Sequence, residues 1–446
     1  MKNCFRLSLL LLCLATAYSG ALAAGDKKTA STSKNTDSGS AARFNLKFPK
    51  VSPYSADSYR WESAHQTSDG GYIMISSDDS SGIVIAKTSA SGKKMWERVF
   101  GYTPPNLPTS IYGHGSEVLE TADGGFLATG ELYTGGQSAT LWIVRLTREG
   151  NTIWERRYNG TELGAKKIYD GLLGNSLVLN PDGSSLIGVR VWNGDYCILA
   201  KFDPSGALLW QRQFPDAVMM VSRWHQSMDR LATYRTIRIV RRDVGYLMAY
   251  NIKEPGESGL HTGIRMLQLD GNGETIWSTD LTKQAANYTK PMIHDLINTS
   301  DGGFALFGNR GSGSAFVTKF TPAGKNQWVY SIGGSKTFGG GIVELPNGNF
   351  ALCATTDIDT GTALMFAKTG DPDPATGKRS LIEKKVYGTK EKSVHQCDSI
   401  QKTRDGGFIL AGSHFIQYKG GNAWLVKVGA DGNIPGEPTI KEGNDK

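Results

Sequence analysis

Long apolar runs are what this sequence has least of. Beyond its N-terminal stretch, no segment of the 446 residues is long and apolar enough to cross a membrane as a helix. Charge of one sign is missing too. Lys and Arg number 49 against 42 Asp and Glu, and no basic run interleaves with aromatics, which argues against a nucleic-acid partner. The net charge of +7 is a modest excess that serves solubility. Cysteine is scarce. Of five, Cys4 and Cys13 fall in the N-terminal stretch, leaving Cys197, Cys353 and Cys397. The contiguous motifs of common enzymes are absent: no G-x-S-x-G, no H-E-x-x-H, no C-x-x-C and no phosphate-cradling G-x-x-x-x-G-K-[ST]. This argues only against catalysis by one of those motifs. It leaves open a site assembled from separate repeats.

What the chain does have is repetition. Between Glu117 and Tyr158 it carries a turn, Asp123-Gly124-Gly125-Phe126, and an ending, Gly150-x-x-x-Trp154, each flanked by short runs of β-formers. Asp-Gly suits a tight hairpin because Gly takes a positive φ without cost. The turn recurs at Asp69-Gly70-Gly71-Tyr72, Asp301-Gly302-Gly303-Phe304 and Asp405-Gly406-Gly407-Phe408. Looser copies stand at Pro181-Asp182-Gly183, Asp243-Val244-Gly245-Tyr246 and Pro346-Asn347-Gly348-Asn349-Phe350. The ending recurs at Gly92/Trp96, Gly206/Trp210, Gly273/Trp277 and Gly324/Trp328, and in the sixth copy Ile382 follows Gly377 in its place. Seven copies at a period of about 50–60 residues predict an all-β, seven-bladed β-propeller of four-stranded antiparallel blades. The repeated Trp residues are expected in the core between blades.

The seventh copy ends Gly432-Asn433-Ile434-Pro435-Gly436 and lacks its last strand. Phe44-Asn45-Leu46-Lys47-Phe48 aligns with Trp96-Glu97-Arg98-Val99-Phe100 at the end of the first copy. An N-terminal strand at 43–49 is therefore expected to complete the last blade and close the ring, removing free sheet edges. Residues 1–23 read as a secretory signal, with Lys2 and Arg6, an apolar run from Leu7 to Ala17, and cleavage near Ala23. A retained anchor is the alternative. Residues 24–42 read as a disordered polar linker, 43–438 as the propeller and 439–446 as a flexible tail. The expected location is periplasmic or secreted, with no transmembrane span in the mature protein.

In such a fold the segment leading into each blade and the loop between its second and third strands share one face, over the channel. Four histidines fall there, His114, His225, His294 and His395, and Glu62, Glu117, Asp295 and Asp398 open inner strands. Together they could ring the channel mouth as a polar pocket or metal site, or simply form a solvated rim. Tyr112, Trp192, Trp224, Tyr250 and Tyr418 are candidates to stack on sugars or anchor a protein, or to pack within loops. Arg238 aligns with Ala64, Val118, Leu296 and Ile400, where an inward Arg could hold a carboxylate or sulfate; a one-residue change of register is the alternative. Asp357-Ile358-Asp359-Thr360-Gly361 and Asp371-Pro372-Asp373-Pro374 faintly suggest calcium. Cys353 and Cys397 fall in neighbouring blades, where an oxidising compartment could bridge them; buried thiols are the alternative.

The repeat resembles exported bacterial β-propellers whose blades carry a D-G-G-[FY] turn. Ala200-Lys201-Phe202-Asp203-Pro204-Ser205-Gly206-Ala207-Leu208-Leu209-Trp210 is similar to the A-L-D-x-x-T-G-x-x-x-W repeat of quinoprotein-like propellers. The resemblance implies a fold; the eight-bladed dehydrogenases of that group are longer, and no cofactor ligands of theirs can be placed here. Asp270 to Trp277 is also similar to a sialidase Asp-box, which has one residue fewer before its aromatic. The expectation is a non-enzymatic exported propeller binding a protein or glycan of the cell envelope through its loop face, with no cofactor identified. The alternatives are a polysaccharide-acting enzyme, hydrolase or lyase, with carboxylates at the channel mouth, and a quinone- or metal-binding redox protein.

Overall fold

The computed structural model describes residues 42–49, 60–78, 82–101, 111–134, 138–166, 171–192, 194–217, 236–253, 263–281, 291–310, 313–332, 337–375, 378–388, 393–416 and 420–439. The expected signal and linker, and most loops on the face opposite the Asp-Gly-Gly turns, lie outside these residues. Ala41–Lys446 forms one compact unit.

Each sequence repeat folds as a four-stranded antiparallel meander. The first holds β2 (Arg60–Gln66), β3 (Tyr72–Asp78), β4 (Gly82–Thr88) and β5 (Lys94–Phe100); the second β6 (Ile111–Glu120), β7 (Phe126–Thr134), β8 (Thr140–Leu146) and β9 (Thr152–Tyr158). The third holds β10 (Leu172–Leu179), β11 (Ser185–Val191), β12 (Tyr196–Phe202) and β13 (Leu208–Pro215); the fourth β14 (Ile237–Arg241), β15 (Tyr246–Ile252), β16 (Gly263–Leu269) and β17 (Thr275–Asp280). The fifth holds β18 (Met292–Asn298), β19 (Phe304–Asn309), β20 (Ala315–Phe320) and β21 (Asn326–Ile332); the sixth β22 (Thr337–Glu344), β23 (Phe350–Ile358), β24 (Gly361–Thr369) and β25 (Leu381–Tyr387). The seventh holds β26 (Ser393–Lys402), β27 (Phe408–Ile416) and β28 (Gly420–Val428), and its fourth strand is β1 (Phe44–Pro49), antiparallel to β28 from Phe44↔Lys427 to Pro49↔Asn422. The first strands of successive units touch, and β26 touches β2. This is an all-β, propeller-like fold.

The second and third strands of each unit are buried almost throughout, as Ile73, Met74, Ile75 and Ile83 to Ala86 are in the first. Layers of Val, Ile, Leu and Phe from facing units interdigitate, so the core lies between units and no single unit could bury its own faces.

The Asp-Gly-Gly turn has a second job besides reversing the chain. Thr67 donates its hydroxyl to Asp69 at 2.6 Å, Gly71 donates its N–H at 2.9 Å, and Lys87 reaches from β4 to the same carboxylate at 3.0 Å. Lys87 is only 1% exposed, so this pair holds a buried ammonium. A Cβ on Gly71 would lie 2.4 Å from that Nζ, so only glycine leaves it room. Arg145 with Asp123, Lys319 with Asp301 and Lys427 with Asp405 repeat the arrangement. In the sixth unit Asn347 replaces the turn Asp, and Lys368 pairs instead with Glu383. Register puts Glu383, opposite Lys368, at the position of Trp96 opposite Lys87, so the residue standing in for Trp is Glu383 and not Ile382.

Between units, the glycine of each Gly-x-x-x-Trp ending sits on the indole of the unit before it. A Cβ on Gly150 would lie 2.7 Å from Trp96, on Gly206 2.8 Å from Trp154, on Gly273 2.7 Å from Trp210, and on Gly324 2.7 Å from Trp277. The first unit follows the rule through β1, since a Cβ on Gly92 would lie 2.9 Å from Phe44. These Trp residues are half-buried between outer strands, less deep than expected from the sequence.

The turn carboxylates make the fold acid-sensitive. Burial opposes ionisation of Asp69, but the Thr67 hydroxyl, the Gly71 N–H and Lys87 outweigh it and hold the carboxyl down at about 2. Asp123, held by Thr121, Gly125 and Arg145, is lowered to about 2, and Asp301 likewise once Lys319, Thr299 and Gly303 overcome its burial. Folded values below the unfolded one give stability that is whole above the ordinary carboxylate range and lost as pH falls toward 2. Urea titrations from pH 5 to 2 should show this loss. Asp69→Asn, which strands the Lys87 ammonium, should cost roughly 3–5 kcal/mol at pH 7.

Candidate functional site

The first strands carry the fold's polar interior. In six units the pairing of the first strand with the second skips one residue: Glu62, Ser116, Asn175, His294, Gly340 and Asp398. Such a bulge re-aims side chains locally. β14 has none, running unbroken from Ile237↔Tyr250 to Arg241↔Tyr246. The register therefore places Ile239 where the other units have Ala64, Val118, Leu296 and Ile400. Arg238 does not share that position as expected. It falls one step earlier, level with Ser63, Glu117, Ser176, Asp295, Gly341 and Ser399. The reason is the turn, which spans four residues in the fourth unit, between Arg241 and Tyr246, against five in the first, between Gln66 and Tyr72.

That level combines small residues with three long charged ones, and the three meet. Arg238 Nη1 lies 3.8 Å from Glu117 Oε2, and its Nε lies 3.9 Å from Asp295 Oδ1 while donating to the His294 carbonyl at 2.8 Å. Units two, four and five thus converge on one guanidinium. Glu117 Oε1 lies 2.7 Å from His65 Nε2 of the first unit. Asp295 accepts the Leu296 N–H on Oδ1 and the Ile342 N–H on Oδ2, both at 3.0 Å. The Glu117 and Asp295 side chains are 12% and 17% exposed, whereas Glu62 and Asp398 are buried. Glu117 and Asp295 are the two carboxylates of the set that solvent reaches.

The other expected residues are placed elsewhere. His114 Nδ1 meets Glu131 Oε1 at 3.0 Å, and Trp192 donates its indole N–H to Glu131 Oε2 at 2.9 Å. Trp192 also lies under Arg190, 4.7 Å from ring centroid to guanidinium, with the Tyr133 edge against it. His294 is buried against Asn309. His395 is buried in the seventh unit against His414. Tyr250 is buried, its hydroxyl donating to the Pro215 carbonyl at 3.2 Å. Trp224, His225 and Tyr418, and the side chain of Tyr112, lie outside the described residues. His65 and Glu131 were not singled out in the sequence. His65 follows the repeat position by one residue, and Glu131 sits beyond the conserved length of the second strand, so the repeat pattern marks neither.

Cys353 of β23 and Cys397 of β26 form a disulfide, Cα atoms 5.9 Å apart, while Cys197 is a buried thiol whose pKa burial pushes up. Among the described residues no group of three or more His, Cys, Asp or Glu is placed to hold a metal ion. In the loop suggested for calcium, Asp371 accepts from Asn349 and Asp373 from the Ala375 N–H. No helix of the described residues is long and apolar enough to cross a membrane.

No family model matches this chain, and no curated protein matches it. Among solved structures it is similar to the K499G mutant of NanB sialidase from Streptococcus pneumoniae, at 11% identity and a TM-score of 0.45, over 86% of this chain and 70% of that one. It is also similar to the WD40 domain of SCAP from fission yeast, at 10% identity and a TM-score of 0.42, over 87% of this chain and 88% of that one. Likenesses this remote concern the fold alone. One expectation is corrected: a propeller-like fold hosts enzymes and binding modules alike, so the architecture assigns no purely non-enzymatic role. Of the residues on which that role rested, Trp192, His114 and Tyr250 are moreover engaged within the protein.

The disulfide closes a 44-residue separation, for which chain entropy gives about 4 kcal/mol. Reductant should lower the urea midpoint of the wild type accordingly and leave a Cys353→Ser/Cys397→Ser variant unmoved.

Proposed function

We propose that this chain is an exported enzyme that cleaves a glycosidic bond of an envelope polysaccharide, with Glu117 and Asp295 as its acid–base pair. On this reading the seven units form a ring closed by β1, and the pair stands at the mouth of its channel. The observation that carries the reading is the convergence of these two carboxylates, partly open to solvent, on Arg238. Contacts of under 4 Å to one guanidinium keep them within about 10 Å of each other, the range in which paired carboxylates act on glycosidic bonds.

The two environments differ in the way the chemistry needs. Asp295, held by two backbone N–H groups, is the carboxylate that takes a proton from water or stabilises positive charge at the sugar carbon. Glu117 is the acid that protonates the leaving oxygen, and His65 on its Oε1 returns the proton. Arg238 stands between them and stabilises the negative charge that Glu117 gains when it gives up its proton. The signal-like 1–23 and the disulfide support export.

Reducing-end release from a panel of envelope polysaccharides tests this on residues 24–446. Glu117→Gln and Asp295→Asn should each lower kcat by about 100-fold or more while the circular-dichroism spectrum of the folded protein is retained at the assay temperature. Full activity in both variants, or no cleavage of any polymer by the wild type, would sink the reading.

A further inference from the structure

His395 and His414 face each other across β26 and β27 in direct register, ring centroids 4.2 Å apart and planes 27° apart. Trp424 of β28 completes the cluster, at 5.8 Å from His395 and 5.3 Å from His414. Both ring nitrogens of His395 are buried, with no hydrogen-bond partner among the described residues. An imidazolium there would have a charge and no acceptor for it, an expensive combination.

The pair reaches β1 through Trp424, since β28 lies between β27 and β1 in the sheet. Lys47 pairs with Trp424 in the β1–β28 ladder, and Trp424 donates its indole N–H to Asn45 at 2.6 Å. The segment after β28 straps β1 down: Arg43 meets Asp431 at 2.9 Å, Asn45 donates to the Pro435 carbonyl at 3.0 Å, and Lys47 meets Glu437 at 3.0 Å. Two charges act on the imidazoles, Lys47 on both and Glu437 on His414. Of the strands packed on β26, β23 carries Asp357 and β2 carries Glu62 and His65; β26 itself carries Asp398. Two residues from His395, Cys397 is bonded to Cys353, which ties the seventh unit to the sixth.

We propose that the stacked His395–His414 pair is an acid-released latch on β1: neutral imidazoles let the strand lie against the seventh unit, and protonating them frees it. The disulfide confines the opening to β1 by keeping β26 attached to the sixth unit. Burial first, then His414 and Lys47, hold His395 down at about 3; burial and Lys47 hold His414 at about 4 against the pull of Glu437. Both lie below the ordinary imidazole value of 6.5, so the stability they contribute is whole above pH 6.5 and is lost as the pH falls toward 4. The part of this window between pH 6.5 and 4 lies above the range in which the turn carboxylates titrate. With two protons taken up on opening, the closed-to-open ratio falls about 100-fold per pH unit inside it.

Hydrogen exchange of the peptide containing residues 43–49, corrected for intrinsic rate, tests the latch between pH 7.5 and 4.5. In the wild type β1 should lose protection steeply below pH 6.5 while β20 keeps it, and in a His395→Phe/His414→Phe variant β1 should stay protected. A flat wild-type profile, or the same fall in the variant, overturns the latch. Should the variant fail to fold, exchange of the imidazole C2 hydrogens in the wild type reads the two pKa values directly. Values below about 5 support the latch, and values near 6.5 overturn it.

Discussion

A glycine pressed against an indole sets the spacing of the whole molecule. Each of Gly150, Gly206, Gly273 and Gly324 leaves no room for a Cβ above the Trp of the preceding unit, so successive outer strands approach to one fixed distance. The contact needs both partners at the same point in the repeat, which is why glycine and tryptophan recur four residues apart. Once that distance is set, the buried faces of neighbouring second and third strands close on each other, and the core follows. Phe44 above Gly92 extends the rule to the chain's two ends.

Charge plays two separate parts inside this frame. At the turns, a Lys or Arg from the third strand is spent on one Asp, and the pair is repeated, local and structural. Among the first strands the charges break the repeat. Glu117, Arg238 and Asp295 stand at a level where other units have Ser or Gly, and Arg238 comes from the first strand that has no bulge. Departure from the pattern at a point of convergence is what a site demands and what packing alone does not. The same logic separates Glu131, which holds His114 and Trp192 in place, from the partly open pair.

Much of the fold was legible in the sequence because its signals are local. The Asp-Gly-Gly turns, the Gly-x-x-x-Trp endings and the match between 44–48 and 96–100 each rest on a few adjacent residues, and the strands fall where those signals put them. The site was legible only in outline. Glu117, Asp295 and Arg238 were visible as candidates, yet their meeting depends on strand register, which a loosely matching turn such as Asp243-Val244-Gly245-Tyr246 does not fix in the sequence. A turn one residue shorter in the fourth unit shifted Arg238 by a full position. Trp192 and His395 misled for the opposite reason. Their residue types suit exposed binding, and the partners that engage them, Glu131 for Trp192 and His414 for His395, come from other strands.

Because β1 runs antiparallel to β28, the two ends of the chain leave the seventh unit at the same edge. A pull applied between the termini would therefore not shear this ladder along its length. It would peel it, first the Arg43–Asp431 and Lys47–Glu437 strap contacts, then Phe44 from Lys427, then one residue pair at a time. Peeling loads a few bonds at once, so the seam is mechanically the softest way into a molecule whose other units each hold all four strands on one continuous stretch of chain. Anchored by one end and tugged by the other, the protein would yield there first.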